Sequence, residues 1–294
     1  MIRRTVPQKT ISKETKLSGV GLHTGEHVNI TFKPAPADTG LVFVREDIKG
    51  DNLINAHIKY ISNTDRSTNL DNGSFRIHTC EHVLAAITGL EIDNCYICLD
   101  GPEVPIMDGS SKFFINALEE AKIVEQNVLR EEFFPSESIT YECEDSGSKI
   151  SIIPDDNYKV NTIVDYKTIV LGEQEASINH ISEFKKEISS ARTFSFLHEL
   201  ETLLENGLIK GGDLNNAIVY VDKPLAESNM DILKKAFNKD SISVTPNGIL
   251  DNLNLHYPNE AARHKLLDVI GDLALIGMKI RGKIIAEKPG HSIN

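Results

Sequence analysis

Apolar and polar residues alternate in several short runs along the chain, and these runs predict β-strands. In the first clear run Val28, Ile30 and Phe32 alternate with polar neighbours, as in a half-buried strand, and the run ends at Pro34. Similar runs predict strands at residues 40–45, 93–99, 150–153, 160–164, 217–221 and 278–286. Both halves of the chain therefore contain several strands.

Helical periodicity occurs in fewer segments. The strongest lies after Pro258, where apolar residues recur every three or four positions between Ala261 and Leu273. This pattern predicts a helix with one buried face and with Asn259 as its N-cap. Further helices are predicted at residues 78–89, closed by Gly89, and at residues 111–124, 184–190 and 196–206.

The order of these elements favours an α+β fold with two layered domains. Residues 126–138 are polar, charged and interrupted by Pro135. We therefore expect them to link a first domain at residues 1–125 to a second domain at residues 139–294. The two halves share a similar order of elements without a residue-level repeat.

Composition and charge exclude some classes of function. The 294 residues are 40% hydrophobic and 25% charged, as in a soluble globular protein. The net charge of −12 argues against a nucleic-acid partner, which usually requires a basic surface. The first residues lack the apolar run of a signal peptide, and no stretch approaches the ~20 apolar residues of a membrane span. We expect a cytoplasmic protein with no integral membrane segment and with reduced cysteines.

Two segments contain candidate metal ligands. On the helix after Pro258, His264 and Asp268 are four residues apart, so they share one face and either bind one metal ion or belong to a solvated charged stripe. The segment His78-Thr79-Cys80-Glu81-His82 matches the H-x-x-E-H motif of zinc peptidases, in which both histidines bind zinc and the glutamate is the base. A catalytic zinc takes three protein ligands, so one of four candidates is surplus: His78, His82, His264 or Asp268.

Three hypotheses stay open on these residues alone. A metal-dependent hydrolase would use Glu81 to take a proton from a water whose pKa the metal lowers. A zinc peptidase would use His78 and His82, and would keep its metal when His264 is replaced. A structural metal site is the least favoured, because such sites usually have four ligands rich in cysteine, and only Cys80 is near in sequence.

Two further positions are suited to hydrolysis. Thr193 precedes a predicted helix, where a hydroxyl normally caps, and it could equally donate to a developing oxyanion. His291 lies in a loop after a predicted strand. A loop histidine is usually solvated, but beside a metal site it would be a protonated general acid or an electrostatic stabiliser.

Several distinct motifs follow one another along nearly the whole chain, at residues 18–25, 78–86, 105–110, 191–194, 263–268, 271–273 and 290–291. In this order they resemble the zinc-dependent UDP-3-O-acyl-N-acetylglucosamine deacetylases of lipid A biosynthesis. The resemblance implies that the chain removes the acetyl group from UDP-3-O-(3-hydroxyacyl)-N-acetylglucosamine and releases acetate and the free amine.

The same resemblance implies a role for individual residues. Three of them would bind one zinc ion, or Fe²⁺ in the cell: His82, His264 and Asp268. Glu81 would be the base that activates the attacking water. The remaining catalytic groups would be a cationic histidine, its orienting carboxylate and a hydroxyl donor to the oxyanion, namely His291, Asp272 and Thr193.

The resemblance also implies how the substrate binds. Lys265 would meet the nucleotide phosphates, and Phe194 and Tyr166 would line the substrate region. Gly212 belongs to a stretch, residues 206–213, that would form a tunnel for the fatty-acyl chain.

The implied architecture is two domains, each a β-sheet layered with two helices, with the active site at their junction. In some bacteria such a deacetylase is fused to a 3-hydroxyacyl-carrier-protein dehydratase, and we expect the native chain to continue beyond Asn294 into such a domain. A native mass near 32.6 kDa would exclude the fusion.

Overall fold

A computed structural model of the chain describes residues 1–199, 210–222, 234, 239–250 and 253–294. Within these ranges helices and strands are mixed throughout, which confirms the α+β class. The described α-helices are α1 (Glu81–Gly89), α2 (Lys112–Glu120), α3 (Phe184–Glu187) and α4 (Glu260–Leu273), with 3₁₀ turns at Ile58–Tyr60, Ile181–Glu183 and Ala274–Ile276.

One five-stranded sheet has a late strand at its centre. Its strands, in spatial order, are β2 (Thr15–Val20), β3 (His27–Pro34), β9 (Cys95–Leu99), β4 (Leu41–Arg45) and β5 (Leu53–Asn55). The central strand β9 pairs antiparallel with β3 and parallel with β4. Val28, Ile30 and Phe32 are fully buried, as their alternation predicts.

A second five-stranded sheet repeats this arrangement. Its strands, in spatial order, are β11 (Ile139–Cys143), β12 (Ser148–Pro154), β18 (Gly282–Glu287), β13 (Tyr158–Asp165) and β14 (Glu173–Ile178). Here the late strand β18 is central, antiparallel to β12 and parallel to β13. The similar order of elements in the two halves thus corresponds to one shared strand topology.

Three smaller sheets complete the described strands. They are β1 (Ile2–Ile11), β10 (Ile123–Phe133) and β17 (Lys279–Ile280); β6 (Ile61–Asn63), β7 (Asn69–Asp71) and β8 (Arg76–Ile77); and β15 (Phe194–Phe196) with β16 (Ile218–Tyr220). Strand β10 extends into the predicted linker and pairs with β1. Part of that segment is therefore regular strand, and the division into two domains stays a prediction.

Helices α1 and α4 pack against each other, and α4 also packs against β13 and β14 of the second large sheet. Gly271 of α4 makes their approach close, because a Cβ at this position would lie 2.1 Å from the carbonyl oxygen of Glu81. Gly89 does end α1, but its lack of a side chain serves packing: a Cβ there would lie 2.2 Å from the ring of Phe184. The first turn of α1 is thus held beside the last turn of α4.

Local predictions at three chain positions need correction. Asn259 occupies the N-cap position of α4, as predicted, but its side chain makes no capping hydrogen bond, because its Oδ1 accepts from Arg263 Nε and its Nδ2 donates to the Glu175 carbonyl. Thr193 precedes strand β15 rather than a helix. Helix α1 begins at Glu81 instead of residue 78, because Thr79 has a φ of 60°, in the left-handed region.

The other helix boundaries also shift. Helix α2 ends at Glu120, and α3 ends at Glu187, each a few residues before the predicted end. Most of the helix predicted at residues 196–206 lies outside the described residues. Within the described ranges, no helix has the length and apolar character to span a membrane.

Candidate active site and metal centre

His82, His264 and Asp268 form a buried cluster. His82 lies in the first turn of α1, while His264 and Asp268 are one turn apart on one face of α4. Their ligand atoms all lie within 4.8 Å of one another, and Asp268 Oδ1 is 3.3 Å from His264 Nε2 and 3.8 Å from His82 Nε2. Ligand atoms around a tetrahedral zinc ion are about 3.3 Å apart, so the spacing fits a single ion.

The donor atoms of this cluster also fit a metal ion. Asp268 Oδ1 is buried without a hydrogen-bond partner, whereas Oδ2 accepts from Lys265 Nζ at 2.9 Å. A buried carboxylate oxygen of this kind is costly unless a cation binds it. His264 Nδ1 lies 3.1 Å from the Ala191 carbonyl, which can only accept, so Nδ1 carries the proton and Nε2 offers its lone pair to the cluster.

The protonation states favour metal binding as well. Burial lowers the pKa of His82 to about 3 and also lowers the pKa of His264, so both imidazoles are neutral. Burial alone would raise the pKa of Asp268, but the neighbouring His264 and Lys265 outweigh it and lower that pKa, so the carboxylate is ionised. Neutral imidazole and ionised carboxylate are the forms that bind a metal.

Glu81 is the first residue of α1 and is only 2% exposed. Burial, together with the carboxylates of Asp272 and Asp268, raises its pKa to about 7, against a lowering by His291. Its Oε2 accepts from the Thr68 backbone N–H at 3.0 Å. A carboxylate that titrates near neutrality is suited to general-base catalysis.

The pKa of His291 is raised as well, which here favours the charged form. Burial lowers its pKa, but Asp272 and Glu81 outweigh burial and raise the pKa to about 9. Its Nδ1 is 2.9 Å from Asp272 Oδ2, and its Nε2 lies 3.9 Å from Glu81 Oε1 and 4.0 Å from Asp268 Oδ2. The imidazolium is therefore stable at neutral pH, beside both Glu81 and the metal cluster.

Thr68 connects these two groups, and no sequence pattern singled it out. Its backbone N–H donates to Glu81, while its Oγ1 donates to Asp272 Oδ1 and lies 3.3 Å from His291 Nδ1. The only available signal was its place in a short polar stretch before the metal-ligand helix, which is too common to be informative.

A cavity of about 320 Å³ opens beside the cluster. Thr193, Phe194, Tyr166 and Lys265 line it together with Glu81, His291 and the metal-ligand residues. The Tyr166 and Phe194 rings meet edge to face at 5.5 Å, and Lys265 Nζ is 5.8 Å from the centre of the Phe194 ring. Asp272 is absent from the cavity wall and contacts His291 from behind.

Two predicted residues lie away from this pocket. Gly212 is not among the described residues that line it, and residues 206–209 of the predicted tunnel segment lie outside the described ranges. His78 is not in the metal cluster either, since its Nδ1 lies 3.0 Å from Asn69 Oδ1. The left-handed Thr79 separates it from α1.

Glu103 is a second residue that the sequence did not reveal. It is completely buried, and its carboxylate accepts from the backbone N–H groups of His23 and Thr24 and from the hydroxyls of Thr24 and Thr79. His23 and Thr79 both line the pocket. Glu103 therefore fixes one pocket wall to the residues that immediately precede Glu81.

A larger cavity, of about 590 Å³, shares no described lining residue with this pocket. Four of its lining residues, Glu91, Arg130, Glu132 and Arg281, form an ion network. Glu132 Oε1 is 3.0 Å from both Arg130 Nε and Arg281 Nε, and Arg130 Nη2 donates to Glu91 at 2.8 Å.

Comparison with known proteins gives one family over almost the whole chain. A family model described as LpxC: UDP-3-O-acyl N-acetylglycosamine deacetylase matches residues 8–233 and 227–294. A protein from Acidithiobacillus ferrooxidans named UDP-3-O-acyl-N-acetylglucosamine deacetylase is 37% identical over 292 residues, which cover 98% of this chain and 88% of that protein.

Other relatives are longer. The protein named bifunctional enzyme LpxC/FabZ from Chlorobaculum tepidum is 44% identical over 292 residues, and its namesake from Bacteroides thetaiotaomicron is 41% identical over 287 residues. Each match covers 98% of this chain, and the chain spans 62% of the length of each bifunctional relative.

Proposed function

The chain belongs to the UDP-3-O-acyl-N-acetylglucosamine deacetylase family, and from this premise we propose that it hydrolyses the acetamide of UDP-3-O-(3-hydroxyacyl)-N-acetylglucosamine in lipid A biosynthesis. The products are acetate and the free glucosamine amine. One observation carries the proposal: a buried His82, His264 and Asp268 cluster with an unpartnered carboxylate oxygen lies beside a carboxylate with a pKa near 7 and a histidine whose pKa is raised to about 9.

In this proposal His82 Nε2, His264 Nε2 and Asp268 Oδ1 hold one Zn²⁺, and Fe²⁺ suits the same donors. When bound, the ion supplies Lewis acidity that polarises the acetamide carbonyl and acidifies a water molecule. The hydrogen bond from Lys265 Nζ to Asp268 Oδ2 orients the carboxylate so that Oδ1 faces the histidines.

Glu81 accepts the proton of the attacking water at Oε1, the oxygen that faces His291, because Oε2 already accepts from the Thr68 backbone. Its burial supports this role, since a pKa near 7 leaves the carboxylate ionised in much of the enzyme and still basic enough to take a proton. General-base catalysis of this kind contributes about 10²–10⁴ in rate.

His291 acts in both halves of the proposed reaction. Its Nε2–H stabilises the developing oxyanion and then protonates the departing amine, while Asp272 holds Nδ1–H and keeps the ring cationic. Thr193 lines the same pocket and is the proposed second donor to the oxyanion.

Substrate contacts follow from the pocket wall. Lys265 is the proposed partner of a nucleotide phosphate, and Phe194 and Tyr166 form an aromatic wall for the sugar and the start of the acyl chain. Gly212 stays a proposed contact of the acyl-chain tunnel, next to Gly211, which packs against the Gly21 carbonyl.

The organisation of the whole protein is part of the proposal. Residues 1–125 and 139–294 are proposed as two domains, which supply His82 on one side and His264 with Asp268 on the other. The similarity to bifunctional relatives supports a native polypeptide with a second enzyme domain, and the free cysteines suit a cytoplasmic location.

The direct test is product analysis with the metal-loaded protein and UDP-3-O-(3-hydroxyacyl)-N-acetylglucosamine. We expect one acetate and one free amine per turnover, with the 3-O-ester intact. Release of the hydroxy fatty acid without acetate would show that the ester, instead of the amide, is the substrate bond.

A further inference from the structure

An ion pair crosses the mouth of the pocket. Arg66 lies in the loop between β6 and β7, and Glu199 lies just after β15, and both line the pocket. Arg66 Nη1 is 3.5 Å from Glu199 Oε2, and the two side chains are 48% and 37% exposed. Segments that are far apart in the chain are thus joined where a substrate must enter.

Apart from His291, which is held by Asp272 at the reacting centre, the pocket has little other positive charge for a phosphate. Of the described residues that line it, Arg66 and Lys265 are those with permanently cationic side chains. Lys265 already donates to Asp268, and its side chain is only 19% exposed. A diphosphate that carries two negative charges therefore needs a further cation, in a protein whose net charge is −12.

Arg66 is suited to provide it. An exposed ion pair is weak, because water screens both charges, so the bond to Glu199 is easily exchanged. A guanidinium also binds phosphate oxygens through two parallel N–H groups, a geometry that Lys265 cannot offer.

The backbone keeps Arg66 in place. Its φ is 65°, an uncommon conformation for a residue with a side chain. Two residues later, the Thr68 N–H donates to Glu81, so the loop is anchored to the proposed base. The position of Arg66 is thus fixed relative to the reacting centre, and its side chain alone has to move.

We propose that Arg66 binds the diphosphate of the nucleotide-sugar substrate, and that Glu199 holds Arg66 at the pocket mouth until the substrate replaces it. This inference rests on the proposed function for the identity of the ligand. It makes Arg66 a substrate-binding residue. Glu199 then competes with the diphosphate for the Arg66 guanidinium.

The test is calorimetric binding of UDP to the zinc-loaded protein, because it needs no turnover. Arg66→Ala should weaken UDP binding about tenfold, the usual order for a charged hydrogen-bonded contact. Glu199→Gln should strengthen it about two- to threefold, because the competing carboxylate is removed. Arg66→Lys should recover part of the lost UDP affinity, since it keeps the positive charge without the two parallel N–H groups of the guanidinium.

Arg4→Ala is the matched control, because Arg4 forms an equivalent exposed pair with Glu131 outside the pocket. It should leave UDP binding unchanged. Changes of the same sign in Arg66→Ala and Glu199→Gln would overturn the proposal and show that the pair is only a structural clamp. Unchanged affinity in both variants would also overturn it.

Kinetics separate this inference from the proposed function. Arg66→Ala should raise KM for the nucleotide substrate with little change in kcat, and should leave kcat/KM unchanged for a substrate that lacks the UDP group. A wild-type protein that releases no acetate would contradict the proposed function, while the UDP titration would still decide the role of Arg66. An equal loss on both substrates would contradict a phosphate contact.

Discussion

Two cavities of the described chain differ in size and in the charges that line them. In the larger cavity, Glu132 sits between Arg130 and Arg281 at hydrogen-bond distance from both. The pKa of Glu91 beside Arg130 is lowered, since the guanidinium outweighs burial, and such ions simply stay charged. In the smaller pocket, Asp268 has an unpartnered oxygen and Glu81 has a pKa near 7. A cluster of metal-binding donors and an acid that titrates near neutrality, rather than volume, mark the site of chemistry.

The largest effect is expected from the metal cluster. His264→Ala removes one of three donors, so zinc content should fall and acetate release should drop to the uncatalysed background. Metal analysis of the purified variant is the measurement, and His78→Ala is the control that should retain zinc. Retained zinc in His264→Ala together with loss in His78→Ala would instead favour the peptidase hypothesis.

The second-largest loss of activity is expected from replacement of the proposed base, Glu81. Glu81→Gln keeps the shape of the side chain but cannot accept a proton, so kcat should fall by about 10²–10⁴. Zinc content should not change, because Glu81 is not a ligand. A variant with near-wild-type kcat would refute the assignment of the base.

The pH dependence of the rate should reflect the pKa values of both Glu81 and His291. Glu81 must be ionised, so the rate should fall below its pKa of about 7, and His291 must be protonated, so the rate should fall above its pKa of about 9. A bound metal ion adds positive charge and moves both limits to lower pH. Asp272→Asn should move the alkaline limit of kcat further down, because Asp272 is the main group that raises the pKa of His291. An unmoved alkaline limit would contradict that pairing.

A smaller effect is expected at Thr68. Thr68→Val removes the hydroxyl bond to Asp272 but keeps the backbone bond to Glu81. We expect kcat to fall about tenfold, as for other residues that orient a reacting group, with zinc retained. Thr140→Val, which alters an exposed hydroxyl pair with Ser151, should leave kcat unchanged.

The smallest effect on activity is expected in the larger cavity. Glu132→Gln makes the same chemical change as Glu81→Gln, but it should leave kcat/KM unchanged. It should lower the free energy of unfolding by about 3–5 kcal/mol, because two arginines lose a buried partner. Chemical denaturation and steady-state kinetics measure the two quantities. A large loss of kcat with unchanged stability would reverse the assignment of the two cavities.

The sequence predicted the elements whose pattern is local. Alternation identified β3, and three- and four-residue spacing identified α4 with His264 and Asp268 on one face. It could not predict that β9 and β18 occupy the centres of their sheets, because pairing between distant strands leaves no local periodicity. Asn259 makes no capping hydrogen bond because Arg263, one helical turn later, and Glu175, which only the fold brings near, bind its side chain.

The candidate site shows the same limit. The spacing left His78 and His82 equally plausible as ligands, and it was the resemblance that excluded His78. The structure agrees with that exclusion through the left-handed Thr79, which no pattern of apolar residues reveals. Thr68 and Glu103 escaped prediction because their roles depend on partners that are remote in sequence, such as Asp272 and His23.

The central claim is that a metal ion held by His82, His264 and Asp268 is needed for acetamide hydrolysis. Acetate release from UDP-3-O-(3-hydroxyacyl)-N-acetylglucosamine should be measured before chelation, after chelation and after zinc is added back, with bound metal quantified at each stage. We predict activity that vanishes with the metal and returns with it in a folded protein. Full activity in a sample shown to be free of metal would contradict the account.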